Sequence, residues 1–222
     1  MTKSEIVSRL SKLDSCALSD ALDKLGLKGE VTGIQRFTTG RRIAGQVLTV
    51  KLDRAEGRSN TRHLCTAAIE AAEPGDIIVA EQSTGLDAAC WGGNLAIGAK
   101  MRGVAGVIVE GPVRDIDDCA GIEFPVFARC HTARTARGRI VEVATNEPVT
   151  VGDVTVTPGD YAVADGSAVV FIALNDVERV LAAAEAIMER EEAMAGDLRA
   201  GKPISQVMGT NYETMLKKQH GE

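Results

Sequence analysis

Two short apolar runs, Ile77 to Ala80 and Val104 to Val109, stand on either side of a helical stretch and leave few folds open. Each run is short, unbroken by polar alternation and bounded by turn residues, the pattern of a strand covered on both faces. Between them, Asn94 to Arg102 reads as a helix that stops at Gly103. Ahead of the first run lies the turn Glu73-Pro74-Gly75-Asp76. Strand, crossover helix and strand in this order predict a layered α/β core with parallel pairings.

The flanking sequence extends this core. Ser4 to Asp14 carries Ile6, Val7, Leu10 and Leu13 at helical spacing, and Ser15 is placed to cap a second helix running through Lys24 and ended by Gly26. Ile43 to Leu52 is rich in β-formers, Ser59 to Ala72 reads as a helix, and Pro125 to Ala128 as a third short strand. Ile140 to Ala173 reads as several short strands broken by turns. A long helix, Val177 to about Met194, follows, with Asn175 or Asp176 as its cap. The expected fold is therefore α/β: one domain over residues 1–222 with a mixed sheet, N-terminal helices and a C-terminal helix plus tail. The tail, 196–222, has only isolated apolar residues (Ile204, Val207, Met208, Tyr212, Met215, Leu216) and is expected to cover a neighbouring subunit. Pro74-Gly75-Asp76-Ile77 is echoed by Pro158-Gly159-Asp160-Tyr161, read as a recurring turn that launches a strand.

Composition narrows the function. A length of 222 residues suits one full core, with 45% apolar and 25% charged residues. Net charge is −6, Lys/Arg runs do not exceed two, and aromatics are 3%, so neither a basic footprint nor a stacking platform for nucleic acid is present. No window approaches the ~18 apolar residues of a membrane span, and the N-terminus lacks the apolar core of a signal peptide. Five widely spaced cysteines without a CxxC read as reduced thiols, hence a cytoplasmic protein.

The chemistry is concentrated between Trp91 and Asp118. Gly92 and Gly93 precede a helix whose first N–H groups have no internal partner, a cradle for a carboxylate or phosphate. The next strand exits through Glu110-Gly111-Pro112-Val113-Arg114-Asp115, so both loops are expected at one crevice beyond the strand ends. There a guanidinium suits two-pronged carboxylate recognition, and an adjacent carboxylate suits a hard divalent cation. Each piece alone has an ordinary reading: turn chemistry for the glycines, a surface ion pair for Arg114–Asp115, first-turn acids for Asp117 and Asp118. No HxxxH or HxH spacing joins His63, His131 and His220, Lys51 and Lys100 lack a setting for a Schiff base, and no GxSxG, P-loop or GxGxxG occurs.

From Gly93, twenty residues intervene before Arg114-Asp115, and two more before Asp118. This spacing resembles the pyruvate-specific class II aldolases that belong with the RraA (regulator of ribonuclease activity A) proteins. The resemblance also covers Leu18 to Leu22, Gly45 to Val50, the Pro-Gly-Asp turns and Val109 to Asp115. It implies a swivelling β/β/α fold, and a divalent metal, Mg²⁺ with Mn²⁺ or Co²⁺ as alternatives, held at Asp115. It implies Arg114 against the pyruvyl group, the backbone of Gly92, Gly93, Asn94 and Leu95 on its carboxylate, and Asp118 as a supporting acid. The implied activity is cleavage of a 4-hydroxy-2-oxo di- or tricarboxylic acid to pyruvate, with oxaloacetate decarboxylation through the same enolate. Implied partners are a small 2-oxo acid and further copies of the chain, as a trimer or hexamer, with no nucleic acid or membrane. A C-terminal acid of a neighbour, Glu191 or Glu192, is a candidate to complete the site. Arg36, Arg41, Arg42 and Arg129 are candidates for a distal carboxylate. The other role the resemblance allows is a non-catalytic regulator docked on a ribonuclease assembly. A methyltransferase label also used in the family finds no supporting sequence feature.

Overall fold

The computed structural model describes residues 1–58 and 62–209. Helices α1 (Lys3–Leu10) and α2 (Ser15–Leu25) open the chain, followed by short strands β1 (Glu30–Val31) and β2 (Gln35–Arg36) and the long β3 (Ile43–Arg54). An alternating stretch comes next: α3 (Thr66–Ala71), β4 (Ile77–Glu81), α4 (Gly93–Met101), β5 (Gly106–Val113), α5 (Ile116–Gly121) and β6 (Val126–His131). Strands β7 (Ile140–Thr145), β8 (Val149–Val151), β9 (Val154–Val156), β10 (Tyr161–Ala164) and β11 (Val169–Ile172) precede α6 (Val177–Arg199) and α7 (Ile204–Val207).

Among the described residues nine strands form one mixed sheet in the order β1-β11-β10-β3-β4-β5-β6-β2, with β7 also paired to β3, and β8 and β9 form a separate hairpin. Pairings β3–β4, β4–β5 and β5–β6 are parallel, as the strand–helix–strand rhythm requires. The apolar runs are buried on both faces. Ile78, Ala80, Val107 and Val109 face a core beneath α3, α4 and α5. Ile77, Val79 and Ile108 face a second core, closed by the β8–β9 valines Val149, Val151, Val154 and Val156. A third core packs α1, α2 and α6 on β10 and β11. This is the α/β layering expected from the sequence, with the sheet curled around the β8–β9 hairpin.

Local signals set the helix ends. Asp14 caps α2 by accepting from the Ala17 N–H at 2.8 Å, and Gly26 closes it at φ 67°. Ser15, the expected cap, is instead the first helical residue. Its N–H and hydroxyl are both turned to the Asp165 carboxylate, at 2.8 and 2.7 Å. The helix expected over Ser59 to Ala72 shrinks to Thr66–Ala71, because Cys65 takes a left-handed turn (φ 65°) that breaks the chain's approach; residues 59–61 lie outside the described residues. Asp176 occupies the N-cap of α6, but its carboxylate pairs with Arg179 rather than with the helix backbone.

The Pro-Gly-Asp echo has a structural basis. Asp76 accepts from the Glu73 N–H at 2.9 Å, and Asp160 from the Thr157 N–H at 2.8 Å. Gly75 and Gly159 take φ 90° and 94°, and the strands these turns launch, β4 and β10, flank β3 on opposite sides.

Candidate active site

Because β4 and β5 run parallel, the helices that follow them begin at the same edge of the sheet. The segment leading to α4 is sewn to that edge. Buried Gln82 donates to the carbonyl of Ala88 at 2.7 Å. The Cys90 N–H donates to the Pro112 carbonyl at 3.2 Å, and the Arg114 N–H to the Trp91 carbonyl at 3.0 Å. The expected exit loop 110–115 is in fact mostly strand: β5 runs to Val113, and Pro112 and Val113 pair with Cys130 and His131 after a bulge. Gly111, at φ 152°, forms that bulge, and a Cβ there would meet the Gln82 carbonyl at 2.8 Å. Only Arg114 and Asp115 leave the sheet before α5 begins.

Asp115 is the centre of the arrangement. It occupies the N-cap of α5 with left-handed backbone (φ 55°, ψ 42°), a conformation Asp tolerates better than most residues. Its side chain does not cap its own helix. Instead Oδ2 accepts from the Gly93 N–H at 3.0 Å, at the start of α4, and from Arg114 Nε at 3.2 Å. Glycine is needed at 92, where a Cβ would stand 2.6 Å from Asp115 Oδ2 and 3.3 Å from Arg114 Nε. Asp118, on the first turn of α5, lies over Gly93, with Oδ2 3.4 Å from where a Cβ on Gly93 would be. The N–H groups of Gly93, Asn94 and Leu95 are those of the first turn of α4, which has no intrahelical acceptors for them. Asp115 takes the first of the three.

These residues open into a cavity of about 630 Å³. Gly92, Asn94, Leu95, Arg114 and Asp115 line one part of it, while Gly93 and Asp118, also expected at the site, stand behind this wall. Cys90 and Trp91 also line it; Trp91 stacks on Phe124 with ring planes 12° apart, while its buried indole N–H has no hydrogen-bond partner among the described residues. Burial pushes the Cys90 thiol up to about 12. Burial, then the Asp115 and Asp118 carboxylates, push that of Cys119 behind the site up to about 11. Both are neutral and not nucleophilic.

Other candidates fall elsewhere. Arg129 forms a two-pronged pair with Glu110 at 2.9 Å on both arms. Arg36 donates to the Gly40 carbonyl, and Arg42 stands 3.8 Å from Asp165. None of these three, nor Arg41, lines the cavity. Glu191 and Glu192 are exposed on α6, which packs in the core of α1 and α2, and neither lines the cavity within its own protomer. Partial desolvation against neighbouring atoms, then the Asp14 and Asp20 carboxylates, hold the Glu191 carboxyl above its usual range. Two arginines that the sequence did not single out do line the cavity, Arg62 and Arg137. Arg62 falls in the stretch read from sequence as a helix and Arg137 in the connection after β6, so neither carries a sequence signal of its own. His63, read as mid-helix, precedes α3 and lines the same wall.

Comparisons with known proteins identify the family and the fold. A sequence profile of the family described as RraA-like, Aldolase/RraA, matches residues 15–171. Protein DlpA of Legionella pneumophila subsp. pneumophila is 25% identical over 205 residues, which are 92% of this chain and 33% of that protein. The chain thus spans about a third of that relative's length. A Halalkalibacterium halodurans protein with the provisional name 4-hydroxy-4-methyl-2-oxoglutarate aldolase is 29% identical over 199 residues, covering 87% of this chain and 89% of that one. The crystal structure of an uncharacterized protein from Pseudomonas syringae pv. tomato superposes with a TM-score of 0.84 at 27% identity, over 93% of this chain and 98% of that one. Among the described residues no helix is long and apolar enough to cross a membrane.

Proposed function

The chain belongs to the RraA-like, Aldolase/RraA family, and on that premise we propose that it is a divalent-metal-dependent lyase that cleaves a 4-hydroxy-2-oxo di- or tricarboxylic acid to pyruvate. The observation that carries this reading is the meeting, at one end of the cavity, of the Asp115 carboxylate, the Arg114 guanidinium and the first turn of α4.

The donor set decides what kind of ion suits the site. Among the described residues no three His, Cys, Asp or Glu side chains converge. The described residues therefore offer neither an all-protein cage nor a soft-ligand site for zinc. Mg²⁺ has different needs: it keeps several waters and takes one or two carboxylates together with substrate oxygens. Asp115, half-exposed at the cavity edge, fits that role, with Asp118 close enough to organise surrounding water. When bound, such an ion supplies Lewis acidity to the keto oxygen of the substrate.

The chain's own residues do the rest. N–H groups at the start of α4 receive the substrate's C1 carboxylate. Arg114 faces the keto oxygen. When the C3–C4 bond breaks, C4 becomes a carbonyl and passes its hydroxyl proton to a water at the site, while the electron pair stays on C3. The pair delocalises onto the keto oxygen as an enolate, whose charge Arg114 meets, and return of a proton from that water to C3 gives pyruvate. Decarboxylation of oxaloacetate reaches the same enolate with CO₂ as the leaving group. A homo-oligomer, trimer or hexamer, belongs to this reading, and light scattering on the full chain tests it.

The direct test is pyruvate release from oxaloacetate, corrected for the enzyme-free rate, with Mg²⁺ and with EDTA. Release only with the metal is the expected result. No release with Mg²⁺, Mn²⁺ or Co²⁺ would favour the non-catalytic regulator role instead.

A further inference from the structure

The cavity is far larger than a pyruvyl group needs, and its charge is lopsided. Its lining holds three guanidiniums, Arg62, Arg114 and Arg137, against one carboxylate, Asp115, which already faces Arg114. Arg62 and Arg137 come from segments remote in sequence from Arg114, before α3 and after β6, yet the isolated bridge Ala89–Thr135 ties the second of these segments to the connection leading into α4. Arg62 is not a loose surface charge. Its Nη2 donates to Glu142 Oε1 at 3.0 Å and to Thr145 Oγ1 at 3.1 Å, and the Glu142 side chain is only 5% exposed. That carboxylate also accepts the Cys65 N–H at 2.6 Å. The head of Arg62 is thus fixed by its Nη2 edge while half of the side chain remains exposed. The Arg137 guanidinium has no hydrogen-bond or ion-pair partner among the described residues, although its backbone N–H is held by Thr135. A cation lining a cavity without a counter-charge is poised for one carried by a ligand.

We propose that Arg62 and Arg137 are specificity-determining residues that bind a second carboxylate of the substrate, beyond the pyruvyl end. The role rests on the lyase reading for its substrate but not for its test. The ligand class is a 2-oxo acid with a distal carboxylate. Chain-matched 2-oxo monocarboxylates bind the Arg114 end alone. Arg62 supplies a pre-set fork, because Glu142 removes the entropy of ordering it. Arg137 supplies the adaptable contact.

The experiment measures binding by calorimetry, in Mg²⁺ buffer, of 2-oxoglutarate and of 2-oxopentanoate, which have the same chain length and differ in the terminal carboxylate. Wild type is expected to bind 2-oxoglutarate at least about tenfold more tightly, the lower range for a charge-assisted contact. Arg137→Gln and Arg62→Gln should each remove most of that preference while leaving 2-oxopentanoate affinity within about twofold. Arg137→Gln breaks no contact made by the guanidinium among the described residues, so it keeps the test sound even if loss of the Glu142 pair unfolds Arg62→Gln. Equal binding of the two acids by wild type, no binding of 2-oxoglutarate, or an unchanged preference in Arg137→Gln and in any folded Arg62→Gln overturns the proposal. A preserved preference in wild type, lost in the variants, together with no pyruvate release from any 4-hydroxy-2-oxo acid would instead uphold these roles and overturn the lyase reading.

Discussion

A side chain on residue 92 would have to begin where the Asp115 carboxylate now ends, since a Cβ built on Gly92 stands 2.6 Å from Asp115 Oδ2. Gly92 itself has extended backbone (φ −161°), which alanine also adopts. The glycine is therefore required by the space the carboxylate occupies. Gly92→Ala should fold with an unchanged Tm but displace Asp115, and an ångström of misplacement costs on the order of 10²-fold in rate. Steady-state kinetics beside a thermal melt tests this; wild-type kcat would show that the position of Asp115 is immaterial.

Asp115→Asn keeps the size of the side chain and its tolerance of left-handed backbone, and removes the charge a hard cation needs. Metal-dependent turnover should vanish while stability stays within about 0.5 kcal/mol. Full activity at saturating Mg²⁺ would sink the metal assignment.

Arg114→Lys should lower kcat by about 10²–10³, because a point charge cannot reproduce a planar fork at a developing oxyanion. A rise in KM alone would mark Arg114 as a residue of ground-state binding.

The buried thiols make a chemical prediction. Cys90 and Cys119, pushed up to about 12 and 11 by burial, stay neutral at pH 8, and buried Cys65 is pushed up as well. Iodoacetamide on the native protein at that pH should label exposed Cys16 and Cys130 and spare the other three. Rapid labelling of Cys90, read by mass spectrometry, would contradict the packing of the cavity wall.

Asp165 links α2 to the turn between β10 and β11. Burial works against its charge, but N–H bonds from Ser15 and Ser167 and the Ser15 hydroxyl outweigh it and hold the carboxyl below its usual value. A depressed folded-state value means that this stabilisation is present above the unfolded value, about 3.9, and is lost as pH falls through the folded one. Asp165→Asn should cost about 1–2 kcal/mol at pH 7 and progressively less below about pH 4, measured by urea unfolding. A pH-independent cost would refute the ionic account.

The parts legible in the sequence were those set by local periodicity and spacing. The runs at 77–80 and 104–109 gave the parallel strands, and the interval from Gly93 to Asp115 placed both ends of one hydrogen bond. What spacing could not carry was contact between distant segments. Ser15 looked like a cap because nothing nearby announces Asp165, 150 residues away. Arg129 reads as a candidate for a distal carboxylate while nothing singles out Arg137, and only the fold brings Glu110 against the first and places the second in the lining of the cavity. The strand beyond Val109 was hidden by Gly111 and Pro112, which read as loop residues but here form a bulge that β6 continues past.

Strand β3 is twelve residues long and shares its length among three neighbours: β10 pairs with its beginning, β4 with its middle and β7 with its end. The two halves of the sheet therefore have no seam along which one could melt while the other stays folded. Loss of β3 removes the antiparallel partner of the terminal helices' platform and the parallel partner of the sheet edge that carries the candidate site together. Its central amides should be among the slowest in the chain to exchange with deuterium, opening only with global unfolding. Damage far from the cavity, in the packing of α1 or α6, would then be felt at Asp115 as a change in the lifetime of the whole molecule rather than in its geometry.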